Sequence, residues 1–328
     1  MHRLLRITTR SGRLLADALL AVGLLWALGL LVYQPLCLLP VAAMAGLALW
    51  LWRRRPGSTL PLRAWLWVLF LLCVCMYQLL PVPRGPWQQP WEHQATCKLD
   101  GTLLTVEGMR DFRYRTEDDY TPRYITRTFD LTRLRGVDFA ECRWDGHTAI
   151  CHTMVSFSFA DGSHLVVSPE TRLPRGTAQS ALGGLYKKYA LTYVIGTEDD
   201  IFALRTNYRH EDLYLYPLDI TPDQALALLV STLDLAMDAN SAPSAYNVFT
   251  ANCSTGFISL LHRFLPGLQG HYPGLPVHNS LIVDILYNHH CLQTRPGESL
   301  PQLRKRAATG YDIPARNYSA FLRARLEK

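Results

Sequence analysis

The chain has 328 residues, 33 basic and 27 acidic, for a formal net charge of +6. That excess is local: residues 1–63 hold eight arginines and one acid, Asp17, which leaves 25 basic and 26 acidic residues beyond them. A near-neutral remainder lacks the broad basic surface needed to neutralise phosphates, so no nucleic-acid partner is expected.

Three apolar stretches open the chain, at about residues 14–33, 36–52 and 62–80. Each approaches the length of about 20 residues that crosses a bilayer, and three transmembrane helices are expected. Gln34-Pro35 separates the first two so tightly that they should form a helical hairpin, with Pro35 at a helix start. Arg3, Arg6, Arg10 and Arg13 precede the first stretch, and Arg53, Arg54, Arg55 and Arg63 lie between the second and third. Positive flanks stay cytoplasmic, so an odd number of spans places everything after residue 80 outside. The expectation is a multi-pass inner-membrane protein with residues 1–80 as anchor and a periplasmic C-terminal domain.

Residues 81–96 are rich in Pro and Trp and predict an extended linker at the membrane surface; the domain proper is expected over 97–328. Arg110-Asp-Phe-Arg-Tyr-Arg115 alternates charge with aromatic residues as a half-exposed strand would. His152 to Phe159 and Ser163 to Glu170 predict a hairpin with Thr153, Val155, Phe157 and Phe159 on one apolar face and His152, Met154, Ser156 and Ser158 on the other. A three-residue loop, Ala160 to Gly162, sets His152 opposite Glu170, where a carboxylate would orient the imidazole and raise its basicity.

Ser180 to Tyr189 predicts a short amphipathic helix, Leu191 to Ile195 a strand, and Glu198-Asp199-Asp200 a solvated turn. Arg205, Arg209, Tyr214 and Tyr216 fall in a strand-rich stretch, and Pro222 to Met237 is a core helix by its periodicity. Residues 266–276 are rich in Gly and Pro and predict a loop. His289-His290-Cys291 cannot all face one ion, and four correctly spaced ligands are missing, so neither metal nor cofactor is expected. Cys97, Cys142, Cys151, Cys253 and Cys291 lie outside the apolar stretches. Five is odd, so at least one thiol stays free, and if it is Cys253 the other four allow three disulfide pairings.

Cys253 sits where a helix should begin. Asn252, Ser254 and Thr255 are capping residues, and Phe257, Ile258, Leu260, Leu261 and Phe264 recur at helical spacing. A thiol in that first turn would feel unpaired N–H groups and the helix dipole, which favour the thiolate and make a nucleophile. Cys253, His152 and Glu170 could then act as nucleophile, base and orienter, with the Cys253 N–H as an oxyanion donor. A strand histidine preceding a helix cysteine resembles the permuted papain-like (NlpC/P60-like) arrangement, an α+β fold.

The segments Arg110 to Arg115, His152 to Phe159, Ser168 to Arg172, Tyr189 to Val194, Leu204 to Asn207, Leu213 to Tyr216 and Tyr246 to Thr255 together resemble the periplasmic domain of the Lnb-type bacterial lipoprotein N-acyltransferases. The resemblance implies a Gram-negative envelope thiol acyltransferase with Cys253, His152 and Glu170 as catalytic residues. It also makes Asn252, Tyr246, Asn247, Arg172 and Arg205 candidates for substrate binding. The implied partners are the membrane, a phospholipid or lipoprotein acyl donor, and a lipoprotein N-terminal amine as acceptor. Two other readings use the same residues: an amidase or peptidase acting on envelope peptides with water as acceptor, and a non-catalytic binding module with a structural Cys253.

Overall fold

The computed structural model describes residues 2–54, 62–144, 146, 149–264 and 278–327. The expected loop at 266–276 lies outside these residues. The chain divides into two units: Met1–Pro83 with Ser180–Lys188, and Arg84–Gln179 with Tyr189–Lys328.

The first unit holds α1 (His2–Tyr33), α2 (Leu38–Arg54), α3 (Leu62–Leu79) and α4 (Ala181–Leu185). Pro35 opens a short turn of 3-10 helix between α1 and α2, as the sequence predicts. The expectation of three spans is corrected to one. Only Leu14–Tyr33 is long and apolar enough to cross a membrane among the described residues. Among the described residues the two apolar stretches that follow, Pro35–Leu47 and Ala64–Leu79, are shorter.

The second unit is α+β. Its strands are β1 (Thr96–Asp100), β2 (Leu103–Arg110), β3 (Arg113–Tyr114), β4 (Tyr120–Thr121), β5 (Tyr124–Asp130), β6 (Leu134–Arg143), β7 (His152–Phe159), β8 (His164–Arg172), β9 (Ala190–Gly196) and β10 (Asp212–Pro217). Its helices are α5 (Glu198–Ala203), α6 (Pro222–Ser241), α7 (Thr255–Phe264), α8 (Leu281–Asn288), α9 (Leu300–Ala307) and α10 (Tyr318–Leu326). Among the described residues, eight strands form one sheet in the order β1-β2-β9-β8-β7-β6-β10, with β5 also paired to β2. The sheet is mixed, because β2 meets β9 in parallel while the other pairs are antiparallel.

Strand alternation divides the core into two layers. Val155, Phe157, Phe159, Leu165 and Val167 pack with α6, α7 and α8 on one face. Met154 and Val166 pack with Ile201 and Phe202 of α5 and Tyr318 and Leu322 of α10 on the other. The β7–β8 register, Val155 opposite Val167 through Ser158 opposite His164, is the one a three-residue loop demands. Gly162 turns that loop at φ +76°, which costs glycine little because it has no Cβ.

Three stretches differ from their local patterns. Residues 110–115 are not one strand: β2 ends at Arg110, whose guanidinium is buried against Asp200 through two bonds of 3.0 Å. The acidic run is not a solvated turn either. It forms the first turn of α5, where Asp200 also accepts from Phe112 N–H at 2.7 Å and Tyr114 hydroxyl at 3.0 Å, and buried Glu198 pairs with Arg323. The Pro/Trp-rich stretch joins the second unit: Gln88 N–H donates to the Leu173 carbonyl at 2.9 Å, and the Arg172 guanidinium lies 4.5 Å from the Trp87 ring. A charge pattern along the chain cannot reveal such pairs, since each partner lies far away in sequence.

Candidate active site

Asn252 creates the turn that presents Cys253. Its buried side-chain oxygen accepts from Ser254 N–H at 2.9 Å and Thr255 N–H at 3.1 Å, and its amide donates to the Val248 carbonyl at 2.7 Å. The first helical bond of α7 runs from Ile258 N–H to the Ser254 carbonyl at 2.8 Å. Ser254 is therefore the N-cap, and Cys253 stands one residue outside the helix rather than in its first turn. Among the described residues the Cys253 N–H has no hydrogen-bond acceptor.

The thiol is set among polar groups from three segments. Its sulfur lies 3.9 Å from the Cys151 carbonyl, 3.7 Å from the Ser254 hydroxyl and 3.9 Å from the Asn279 amide nitrogen. Asn279, just before α8, clamps Cys151 at both ends: it accepts from Cys151 N–H at 2.8 Å and donates to the Cys151 carbonyl at 2.7 Å. Thr153 donates to the Cys253 carbonyl at 3.0 Å. Burial pushes the Cys253 thiol up, and bonds from Thr153 and Ser254 only partly offset it. The expected depression of this thiol by the helix is thus outweighed, because the residue sits before the cap and loses water. The Tyr193 hydroxyl packs where a side chain at Gly256 would stand, and burial with Cys253 nearby raises its phenol to about 12.

His152 turns the other way. Alternation sends Thr153 toward Cys253 and His152 to the opposite face, where His152 Nε2 meets the Ser168 hydroxyl at 2.8 Å. Ser168 donates in turn to Glu170 Oε1 at 2.9 Å, so serine intervenes between imidazole and carboxylate. Trp91 donates to Glu170 Oε2 at 2.6 Å, and Arg205 lies 3.5 Å from Oε1. Burial alone would raise Glu170, yet Arg110 and Arg205 hold it down at about 2. Burial and the Arg205 charge depress His152 to about 3, against the increase expected from a neighbouring carboxylate.

The structure therefore brings His152 and Glu170 together through Ser168 and keeps Cys253 in a separate cluster. Among the described residues no hydrogen bond joins His152 to the Cys253 sulfur. Arg205 links the two electrostatically, since its charge acts on both His152 and Cys253. Arg205 also pairs with Glu211 at 2.9 Å, and Glu211 accepts from Cys142 at 2.9 Å. It lies in a short π-helix, Leu204–Tyr208, rather than in a strand.

Of the remaining candidates, half-buried Tyr246 lies near Cys253 and its phenol is raised by burial. Asn247 shapes the preceding turn by accepting from Phe249 N–H at 2.9 Å. Arg172 binds the carbonyls of Trp91 at 2.9 Å and Glu92 at 3.1 Å and is not in the thiol cluster. Among the described residues no group of three or more His, Cys, Asp and Glu could hold a metal ion. All eight cysteines are free thiols. Sequence reasoning missed Ser168, Trp91, Thr153 and Asn279. Ser168 stands between His152 and Glu170 by alternation alone, but Asn279 and Trp91 carry no local signal.

Comparison with known proteins gives one family: the model of the Lnb N-terminal periplasmic domain matches residues 120–282. The match takes in both clusters, from β4 to the start of α8, apart from Trp91 and Arg110. No curated protein and no solved structure matches the chain.

Proposed function

We propose that this chain, whose residues 120–282 belong to the family of the Lnb N-terminal periplasmic domain, is a membrane-anchored periplasmic thiol acyltransferase. Cys253 is the nucleophile, and the thiol domain, about residues 97–328, takes the permuted papain-like arrangement. An acyl chain passes from a phospholipid or lipoprotein ester to Cys253 and then to a lipoprotein N-terminal amine.

The observation that carries this reading is the exposed apolar character of the segments that lead into the Cys253 cluster. Ile150, Phe249 and Leu281 are all exposed, at 50%, 50% and 39%. Each belongs to a segment that touches or leads into the cysteine: Ile150 precedes Cys151, Phe249 lies in the turn before Asn252, and Leu281 follows Asn279. Exposed apolar side chains in the segments that lead into a nucleophile suit an acyl chain better than a polar peptide.

In the first step the thiol adds to the ester carbonyl carbon, and the free Cys253 N–H can stabilise the resulting oxyanion. The thiol proton moves to a base and then to the departing alcohol oxygen, leaving a thioester. The amine next attacks the thioester, an amide forms, and the proton returns to sulfur. His152 is the base in this proposal. Ser168 holds its Nε2, which leaves Nδ1 as the nitrogen that accepts the proton. An amidase would run the same first step and give the acyl group to water.

Incubating the full chain with phospholipid vesicles and measuring intact mass tests the reading. An acyl-sized increase mapped to Cys253 and absent from Cys253→Ala is expected. A strain in which Cys253→Ala replaces the only such enzyme and lipoproteins remain fully N-acylated would overturn it.

A further inference from the structure

Ser180–Lys188 lies between β8 and β9 in the chain, yet it clusters with Met1–Pro83, the unit of α1, α2 and α3, rather than with the sheet. Tyr186 is the reason. Its phenol packs directly on Gly29 of α1, so closely that a Cβ there would collide with its hydroxyl. The ring stacks on Tyr33 at 5.1 Å and lies 6.0 Å from Trp26. Gln34 donates to the Tyr186 carbonyl, and Leu185 packs on the same apolar cluster as Tyr77 and Leu80. Lys187 completes the fit. Its ammonium donates to the last carbonyls of α3, Tyr77 at 2.9 Å and Gln78 at 3.4 Å, where the negative end of the helix dipole favours a cation.

The depth of these contacts is informative. Among the described residues Leu14–Tyr33 is the helix long and apolar enough to cross a bilayer. Gly29 and Trp26 lie four and seven residues before its end, about 6 and about 10 Å inside it at 1.5 Å per residue. A segment touching them sits at the level of headgroups and upper acyl chains, where Tyr and Trp are favoured and lysine reaches outward along its stem. Leu182 is 56% exposed at this level, beside exposed Ala181. A leucine left open there is solvated by lipid, without the cost of apolar surface in water.

We infer that Ser180–Lys188 is a membrane-contacting element inserted into the periplasmic leaflet of the phospholipid bilayer, with Tyr186 seated on α1 and Leu182 facing lipid. The chain thus returns to the membrane between β8, which carries Ser168 and Glu170, and β9. The inference rests on α1 spanning the membrane and does not depend on thiol chemistry.

The test places a photoactivatable diazirine residue at Leu182 in the full-length protein, in phosphatidylethanolamine and phosphatidylglycerol vesicles, and at Leu28 of α1 in a parallel sample. Each carbene inserts into lipid or is quenched by water, and mass spectrometry of the labelled peptide counts the two products. Lipid adducts are expected to exceed the water product at least tenfold at Leu28 and severalfold at Leu182. Lipid adducts at Leu28 with water product or protein cross-links dominating at Leu182 would overturn the inference and leave the anchor standing. Water product at both would overturn the inference and the membrane reading together. Neither outcome bears on acyl transfer by Cys253, which the mass measurement above decides separately.

Discussion

His152 Nε2 lies 2.8 Å from the hydroxyl of Ser168, and the proton inventory of that contact fixes the tautomer of the ring. Glu170 is a carboxylate and can only accept, so the single Ser168 proton goes to Glu170 and the serine oxygen accepts from Nε2–H. A neutral ring then carries its lone pair on Nδ1. In full-length protein with nitrogen-15 histidine, His152 should show the Nε2–H tautomer at pH 7, and Ser168→Ala should mix the two tautomers. The same variant should slow thioester formation about tenfold or more at unchanged KM for the acyl donor, because orientation of the base is lost and donor contacts are kept. An Nδ1–H tautomer in the unaltered protein would refute the arrangement.

The Arg110–Asp200 pair should dominate the stability of its side of the sheet. Asp200 is fully buried and holds the Arg110 guanidinium, the Phe112 N–H and the Tyr114 hydroxyl. Asp200→Ala leaves a buried cation and two donors without an acceptor, a loss of about 3–5 kcal/mol. Denaturant unfolding should show it as a lower midpoint. A change under about 1 kcal/mol would mean that water reaches Arg110.

Cys253 should react slowly with thiol reagents at neutral pH. Since burial raises its pKa, its alkylation rate should climb at higher pH than that of an exposed cysteine. Rapid labelling below pH 7 would show that a thiolate is present in the resting protein. Asn279→Ala should speed the labelling, because it releases Cys151 and opens the wall beside the sulfur.

Acid should destabilise the domain in two stages. His152 is depressed to about 3, so the unfolded chain takes up its proton at higher pH than the folded one, and stability falls as pH drops below about 6.5 toward 3. At pH 5 this loss is of order 1–2 kcal/mol. His164, also lowered by burial, acts in the same direction. Glu170, held at about 2, adds stability above about 4.5 that is lost as pH falls through that range. Thermal unfolding of His152→Gln should depend less on pH between 6.5 and 5 than the unaltered protein does; an unchanged slope would assign that dependence to other groups.

Periodicity and punctuation by themselves determined the local elements. The apolar N-terminus, the hairpin with its three-residue loop, the core helix from Pro222, and a helix beginning near Cys253 all follow from residues within a few positions of one another. The same alternation already separated His152 from Thr153 on β7. Only the tertiary structure decided which face meets α7, and hence that Thr153 touches the Cys253 backbone while His152 meets Ser168. It alone paired Arg110 with Asp200, brought Trp91 to Glu170 and Asn279 to Cys151, and seated Tyr186 on Gly29. The physical reason is range. Backbone propensity and side-chain period act over a turn or a strand, whereas burial and charge pairing select partners across dozens of residues, and the chain between them bears no mark of the choice.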